Sequence, residues 1–210
     1  MKKLLLITGC PRSGTTYSSR AFRTFNKELM PHEQVGDVGT VSWYFGPEKW
    51  LERIPEGKDN TGLRHHIKGE SPADFEFATT VLVVRHPLKV IPSAKKIVTQ
   101  RDWDWAAKHV DFDPKAPRLI RGAEFWIAWN ALIHKRANFF YRVEEMEKAW
   151  ESLLKAARLP SVPFPPLKIT VNQARGWNTP ELLTLTDLKK LSADTARRVV
   201  DAAEIYGYDL

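Results

Sequence analysis

Short apolar runs that alternate with amphipathic helical stretches predict an α/β protein in three layers, a mostly parallel central sheet with helices on both faces. Two runs, and the residues just after each of them, carry that prediction. Residues 3–8 are apolar and closed by Gly9, and Val81-Leu82-Val83-Val84 contains no polar group, as in strands buried on both sides. Each run leads into turn-forming residues and then into helical periodicity, the order of a β–α unit. At 210 residues the chain has the length of a single domain, 1–210, able to bury a substantial core.

After the first run and its turn, Tyr17 to about Leu29 reads as a helix with Tyr17, Ala21, Phe22 and Phe25 on one face. Residues 31–60 are rich in Gly, Pro and aromatics and read as irregular, and 62–69 as a second strand. Val81–Val84 is the clearest interior strand; it passes through Arg85-His86-Pro87 into a helix from Leu88 to about Gln100. A long helix covers Arg118 to Arg136, with Phe125, Trp126, Trp129 and Leu132 facing inward. Phe139 to Val143 is a further strand candidate, followed by a helix to about Ala157. Pro160, Pro163, Pro165 and Pro166 then forbid regular structure, and Asp187 to Tyr206 reads as one amphipathic helix.

Composition excludes several classes. Hydrophobic residues at 43% and charged residues at 27% are the balance of a globular chain and rule out wholesale disorder. No apolar run approaches the ~18 residues that span a bilayer. Cys10 stands alone and cannot form an internal disulfide, which removes the disulfide-stapled secreted class and points to the cytoplasm. Lys2-Lys3 before Leu4–Ile7 and Cys10 imitates a lipoprotein leader, but the apolar part falls short of the ~7 residues of an h-region. Lys plus Arg exceed Asp plus Glu by 32 to 25, so the net charge of +7 favours anionic partners. The basic residues are dispersed in pairs such as Lys95-Lys96 and Arg197-Arg198, which speaks against a nucleic-acid arm.

The strongest chemical signal is Gly9-Cys10-Pro11-Arg12-Ser13-Gly14-Thr15-Thr16, between a strand and a helix. Its frame is that of a phosphate-binding loop, although Thr15 stands where a Walker loop carries lysine. Backbone N–H groups that curl round an anion, the positive end of the helix and the Thr hydroxyls supply donors, and Arg12 adds a permanent charge. The plainer alternative is a tight strand–helix turn without a ligand. The next strand ends in Arg85 rather than a magnesium-binding carboxylate, which counts against an ordinary ATPase or GTPase. Arg85 lies where open α/β sheets bind ligands, and Ser93 comes two helical turns later. Together they suit one phosphate, and with the first loop they suit a ligand with two well-separated anionic ends.

These two motifs resemble those of the sulfotransferases that use 3′-phosphoadenosine 5′-phosphosulfate. Cys10 to Tyr17 resembles their 5′-phosphosulfate loop, and Arg85-His86-Pro87 with Ser93 resembles their 3′-phosphate site. Weaker similarities are Gly69-Glu70-Ser71-Pro72, Tyr141 to Met146, and Tyr206-Gly207-Tyr208-Asp209. The resemblance implies a P-loop-like sulfotransferase architecture and transfer of a sulfuryl group to a hydroxyl or amine of a small-molecule, glycan or lipid acceptor. The product would be 3′,5′-adenosine bisphosphate, with no metal required.

The resemblance also implies roles. Pro11, Arg12, Ser13, Gly14, Thr15 and Thr16 would hold the phosphosulfate, with Arg12 as an electrostatic clamp on the departing charge. Tyr17 would stack on adenine or serve the helix core, and Arg175-Gly176 would close over the nucleotide. Glu33 is the first choice and His32 the second for the base that takes the acceptor proton. Lys68 and Glu70 are lesser candidates for orienting the acceptor, and Trp43, with Tyr44, Phe45 and Trp50, is either satellite core or cleft wall. Adjacent His65 and His66 would point to opposite sides of a strand, which disfavours a metal site. Cys10 reads as a small buried filler. Two other functional classes stay open: a P-loop kinase or nucleotide hydrolase with a degenerate loop, and a non-catalytic nucleotide-binding or basic nucleic-acid-binding module.

Overall fold

In the computed structural model, which describes residues 2–33, 35–43, 76–97, 100–167 and 183–210, the apolar runs lie side by side as parallel strands. Strand β1 (Lys2–Thr8) pairs with β2 (Gly39–Val41) on one side and β3 (Glu76–Val84) on the other, and β4 (Phe139–Arg142) pairs with β3. Register places Ile7 opposite both Val41 and Val81, and Val83 opposite Tyr141. Helices α1 (Thr15–Phe22), α2 (Pro87–Ile97), α3 (Gln100–Ala106), α4 (Arg118–His134), α5 (Met146–Ala156), α6 (Leu185–Leu191) and α7 (Ala193–Ile205) complete the described elements, with one 3₁₀ turn at Val143–Glu145.

The period-2 alternation of β3 sorts the helices. Leu82 and Val84 face a cluster with Val90 and Ala94 of α2, Phe125, Trp126 and Trp129 of α4, and Ala203 of α7. Val81 and Val83 face the other way, together with Leu5 and Ile7 of β1, onto Ala21 and Phe22 of α1 and Trp150 and Leu153 of α5. The sheet is therefore covered on both faces, which is why its strands read as continuous apolar runs. Full burial of each such side chain stabilises by roughly 1.5–3 kcal/mol.

Several boundaries differ from the sequence reading, each for a local reason. Helix α1 stops at Phe22 instead of continuing to Leu29: Thr24 N and Phe25 N bond back three residues, to Ala21 O (3.4 Å) and Phe22 O (3.1 Å), and Thr24 Oγ1 also donates to Ala21 O (2.7 Å), turn bonds that compete with helix. Strand β2 lies in a stretch expected to be irregular. It is only three residues long, and Gly39 permits it: a Cβ there would sit 1.7 Å from the Leu5 carbonyl oxygen. The single helix expected over 187–206 is two, broken at extended Ser192, whose hydroxyl accepts from the Thr195 amide (3.2 Å) and caps α7. The expected strand over 62–69 lies outside the described residues. Among the described residues no helix is long and apolar enough to cross a membrane.

Candidate anion-binding site

The turn after β1 is built to hold an open concavity. Ser13 N donates to Cys10 O (3.0 Å), and the chain enters α1 through Gly14 at φ 102°. A Cβ at Gly14 would meet Val143 Cγ2 at 2.3 Å, so glycine is required by conformation and by space. Gly14 caps α1 without a side-chain bond, leaving the first amides of α1 uncapped by a side chain. Arg12 itself adopts φ 75°, a left-handed conformation that costs a non-glycine residue about 1–2 kcal/mol. Ser13 is fully buried, and its hydroxyl has no partner among the described residues.

Residues distant in the chain meet at this turn. Arg12 Nε donates to Ser93 Oγ (2.8 Å) on α2, and Arg85 Nη1, just past the end of β3, donates to the Arg12 carbonyl (3.3 Å). Burial first, and then the nearby Arg85 charge, lower the Arg12 guanidinium from its usual value. Neither arginine has an ion-pair partner among the described residues, so two like charges share one half-buried corner. An anion would relieve that repulsion. The Arg12 side chain thus reaches from the loop to Ser93 and links the two anion positions read from the sequence.

On the opposite side of the loop, His32 Nε2 lies 3.1 Å from Thr15 Oγ1 and 3.3 Å from Thr16 Oγ1, and 3.3 Å from Glu33 Oε1. A bridge between His32 and Val41, and the Glu33 N–H on Val41 O (3.0 Å), seat this pair at the end of β2. Glu33 sits at φ 57°, and its carboxylate accepts from Ser42 Oγ and from the Trp43 amide (3.4 Å). Burial raises the Glu33 carboxyl to about 8, with the Ser42 and Trp43 bonds pulling the other way. The side chains of His32 and Glu33 keep 34% and 16% of their exposure, so His32 is the more accessible of the two. His32 is also the one that touches the loop hydroxyls. A carboxyl and an imidazole held together beside an anion cradle can accept a proton from a neighbouring hydroxyl.

Other candidates fall elsewhere. Pro11, within the loop, is buried. Tyr17 is half-buried and leans on Phe164 with ring centroids 6.5 Å apart, against the cluster that includes residues of α1 and α5. Trp43 is 8% exposed and packs edge-on against Trp105 (5.4 Å) and Trp129 (5.8 Å); it is core and not a cleft wall. Cys10 is fully buried and burial pushes its thiol well up, which keeps it a filler. Lys68, Glu70, Arg175 and Gly176, like Tyr44, Phe45, Trp50, His65 and His66, lie outside the described residues. Among the described residues no group of three or more His, Cys, Asp or Glu side chains is placed to hold a metal ion. An open groove of 570 Å³ along β4, lined by Phe140, Lys148 and Ile205 among others, shares no residue with the loop.

Sequence reasoning missed Ser42, which bonds Glu33, and gave no role to Glu144 and Tyr208, which lie in segments noted only as similarities and meet behind the Arg85–His86 turn (Tyr208 Oη to Glu144 Oε2, 2.8 Å). No spacing signals these contacts, because each crosses from one segment of the chain to another. Comparison of the chain with protein-family models, with curated proteins and with solved structures finds no match.

Proposed function

We propose that this protein binds 3′-phosphoadenosine 5′-phosphosulfate and transfers its sulfuryl group to a hydroxyl or amine acceptor, on a sulfotransferase-type arrangement of its α/β fold. The observation that supports this reading best is the meeting of Arg12, Arg85 and Ser93 at the uncapped start of α1, with His32 and Glu33 across the loop. Loop amides and the Thr15 and Thr16 hydroxyls would hold the 5′ end, and Arg85 with Ser93 the 3′-phosphate. The acceptor oxygen or nitrogen attacks sulfur as the bond from sulfur to the phosphate oxygen breaks. The electron pair stays on that oxygen, where Arg12 stabilises it, and the acceptor proton passes to Glu33 or to His32 beside it. Arginine holds its proton, so Arg12 acts by charge.

A phosphate loop of a kinase or hydrolase would call for a metal-binding carboxylate after β3, where Arg85 stands. Thermal stabilisation distinguishes the readings. The expected result is a larger shift in Tm with 3′,5′-adenosine bisphosphate than with AMP, ATP plus magnesium, or an oligonucleotide, since a bound ligand stabilises as RT ln(1 + [L]/Kd). Equal shifts from AMP and the bisphosphate would remove the second phosphate position and the proposal with it.

A further inference from the structure

Behind Arg85 lies a set of contacts that the transfer chemistry does not use. The Glu144 carboxylate accepts two bonds: from the His86 amide on Oε1 (3.3 Å) and from the Tyr208 hydroxyl on Oε2 (2.8 Å). The His86 carbonyl in turn accepts from Lys89 N (3.0 Å) and Val90 N (3.2 Å), the first turn of α2. His86 is therefore pinned through both its N–H and its C=O, and the peptide that joins it to Arg85 is fixed between β3 and α2.

Tyr208 is itself held. It is 8% exposed, its ring meets that of His86 edge-on at 5.2 Å, and the Arg142 guanidinium lies over it at 5.5 Å. Arg142 also donates to the Gly207 carbonyl, and Gly207 takes φ 72°, which turns the chain after α7 back onto the end of β4. Burial and the neighbouring Glu144 push the Tyr208 hydroxyl up, so it stays a donor, and Arg85 is close enough for its charge to act on it.

We infer that Glu144 and Tyr208 are positioning residues that hold the Arg85–His86 turn, so that residues 206–208 set the protein's preference for a nucleotide with a second phosphate. The inference rests on the proposed nucleotide site, and it assigns Arg85's aim to contacts outside that site. A guanidinium on a loosely held turn still attracts anions, but it samples more directions and discriminates less between ligands with and without the 3′-phosphate.

The test is the ratio of Kd for AMP to Kd for 3′,5′-adenosine bisphosphate, measured by calorimetry on the full chain, with Tm recorded for each variant. Tyr208→Phe removes one hydroxyl and should lower that ratio about three- to tenfold, with AMP affinity and Tm nearly unchanged. Glu144→Ala should lower it at least as far, and Glu144→Gln, which keeps an acceptor for the His86 amide, should restore most of it. Wild-type preference retained in both Tyr208→Phe and Glu144→Ala overturns the clasp alone. Parallel loss of both affinities with a fall in Tm also counts against it, because that is general loosening. A wild-type protein without any preference overturns the nucleotide site, and the clasp falls with it.

Discussion

Arg12 concentrates the site's physical tension. Its backbone is left-handed, its side chain is half-buried, and the charge that acts on it is that of another arginine. Each feature opposes folding, and an anion in the corner would offset the burial of charge and the repulsion between the two arginines. Removal of the second charge should therefore be selective. Arg85→Ala is expected to weaken binding of 3′,5′-adenosine bisphosphate roughly tenfold to a hundredfold, the scale of a lost charged hydrogen bond, while AMP affinity stays nearly constant. Glu33 is the corresponding residue for the transfer step. Glu33→Gln should leave donor binding intact and lower kcat by about a hundredfold or more. In the wild type kcat/KM should climb as pH rises through about 8, because burial keeps that carboxyl protonated below it. Turnover retained by the glutamine variant would move the proton to His32 alone.

At the scale of elements, the strand–turn–helix unit of β1 and α1 depends on a single glycine. Gly14→Ala combines a left-handed backbone with a Cβ driven into Val143, and should destabilise by about 2–3 kcal/mol, a fall of several degrees in Tm. An unchanged Tm in a urea- or heat-denaturation series would show that the turn has room to relax. The same scale shows where sequence patterns stop being informative. Val81–Val84 and the long α4 are legible because burial on both faces, or along one stripe, leaves an uninterrupted pattern. Strand β2 is not, since three residues carry no period and Gly39 reads as a turn residue until β1 is beside it. The break at Ser192 is hidden for a different reason: the apolar stripe of α6 and α7 runs through it, and only the extended backbone of the cap reveals the interruption.

For the molecule as a whole, Glu33 links site and stability. Its carboxyl is raised to about 8 in the folded protein against an ordinary 4.5, so between those values the folded state holds a proton that the unfolded chain releases. Stability contributed through this group is greatest below about 4.5 and falls as pH rises to about 8. Glu33→Gln removes that slope, so the variant's Tm should gain on the wild type's between pH 5 and pH 8; parallel profiles would show that the carboxyl is not buried as described. The parallel sheet and the strand–turn–helix unit of β1 and α1 were readable in residue order, because apolar runs and turn residues repeat along the chain, while Arg12, Arg85 and Ser93 were candidates by their places at strand ends and His32 and Glu33 only through the family resemblance. Only the folded chain could decide that Arg12 reaches Ser93, that His32 rather than Glu33 touches the loop hydroxyls, that Trp43 belongs to the core while Tyr17 packs against Phe164, and that Tyr208 bonds Glu144. Those contacts join residues far apart in the chain, as Tyr17 and Phe164 are, and distance along a chain carries no information about which side chains a packed sheet brings together.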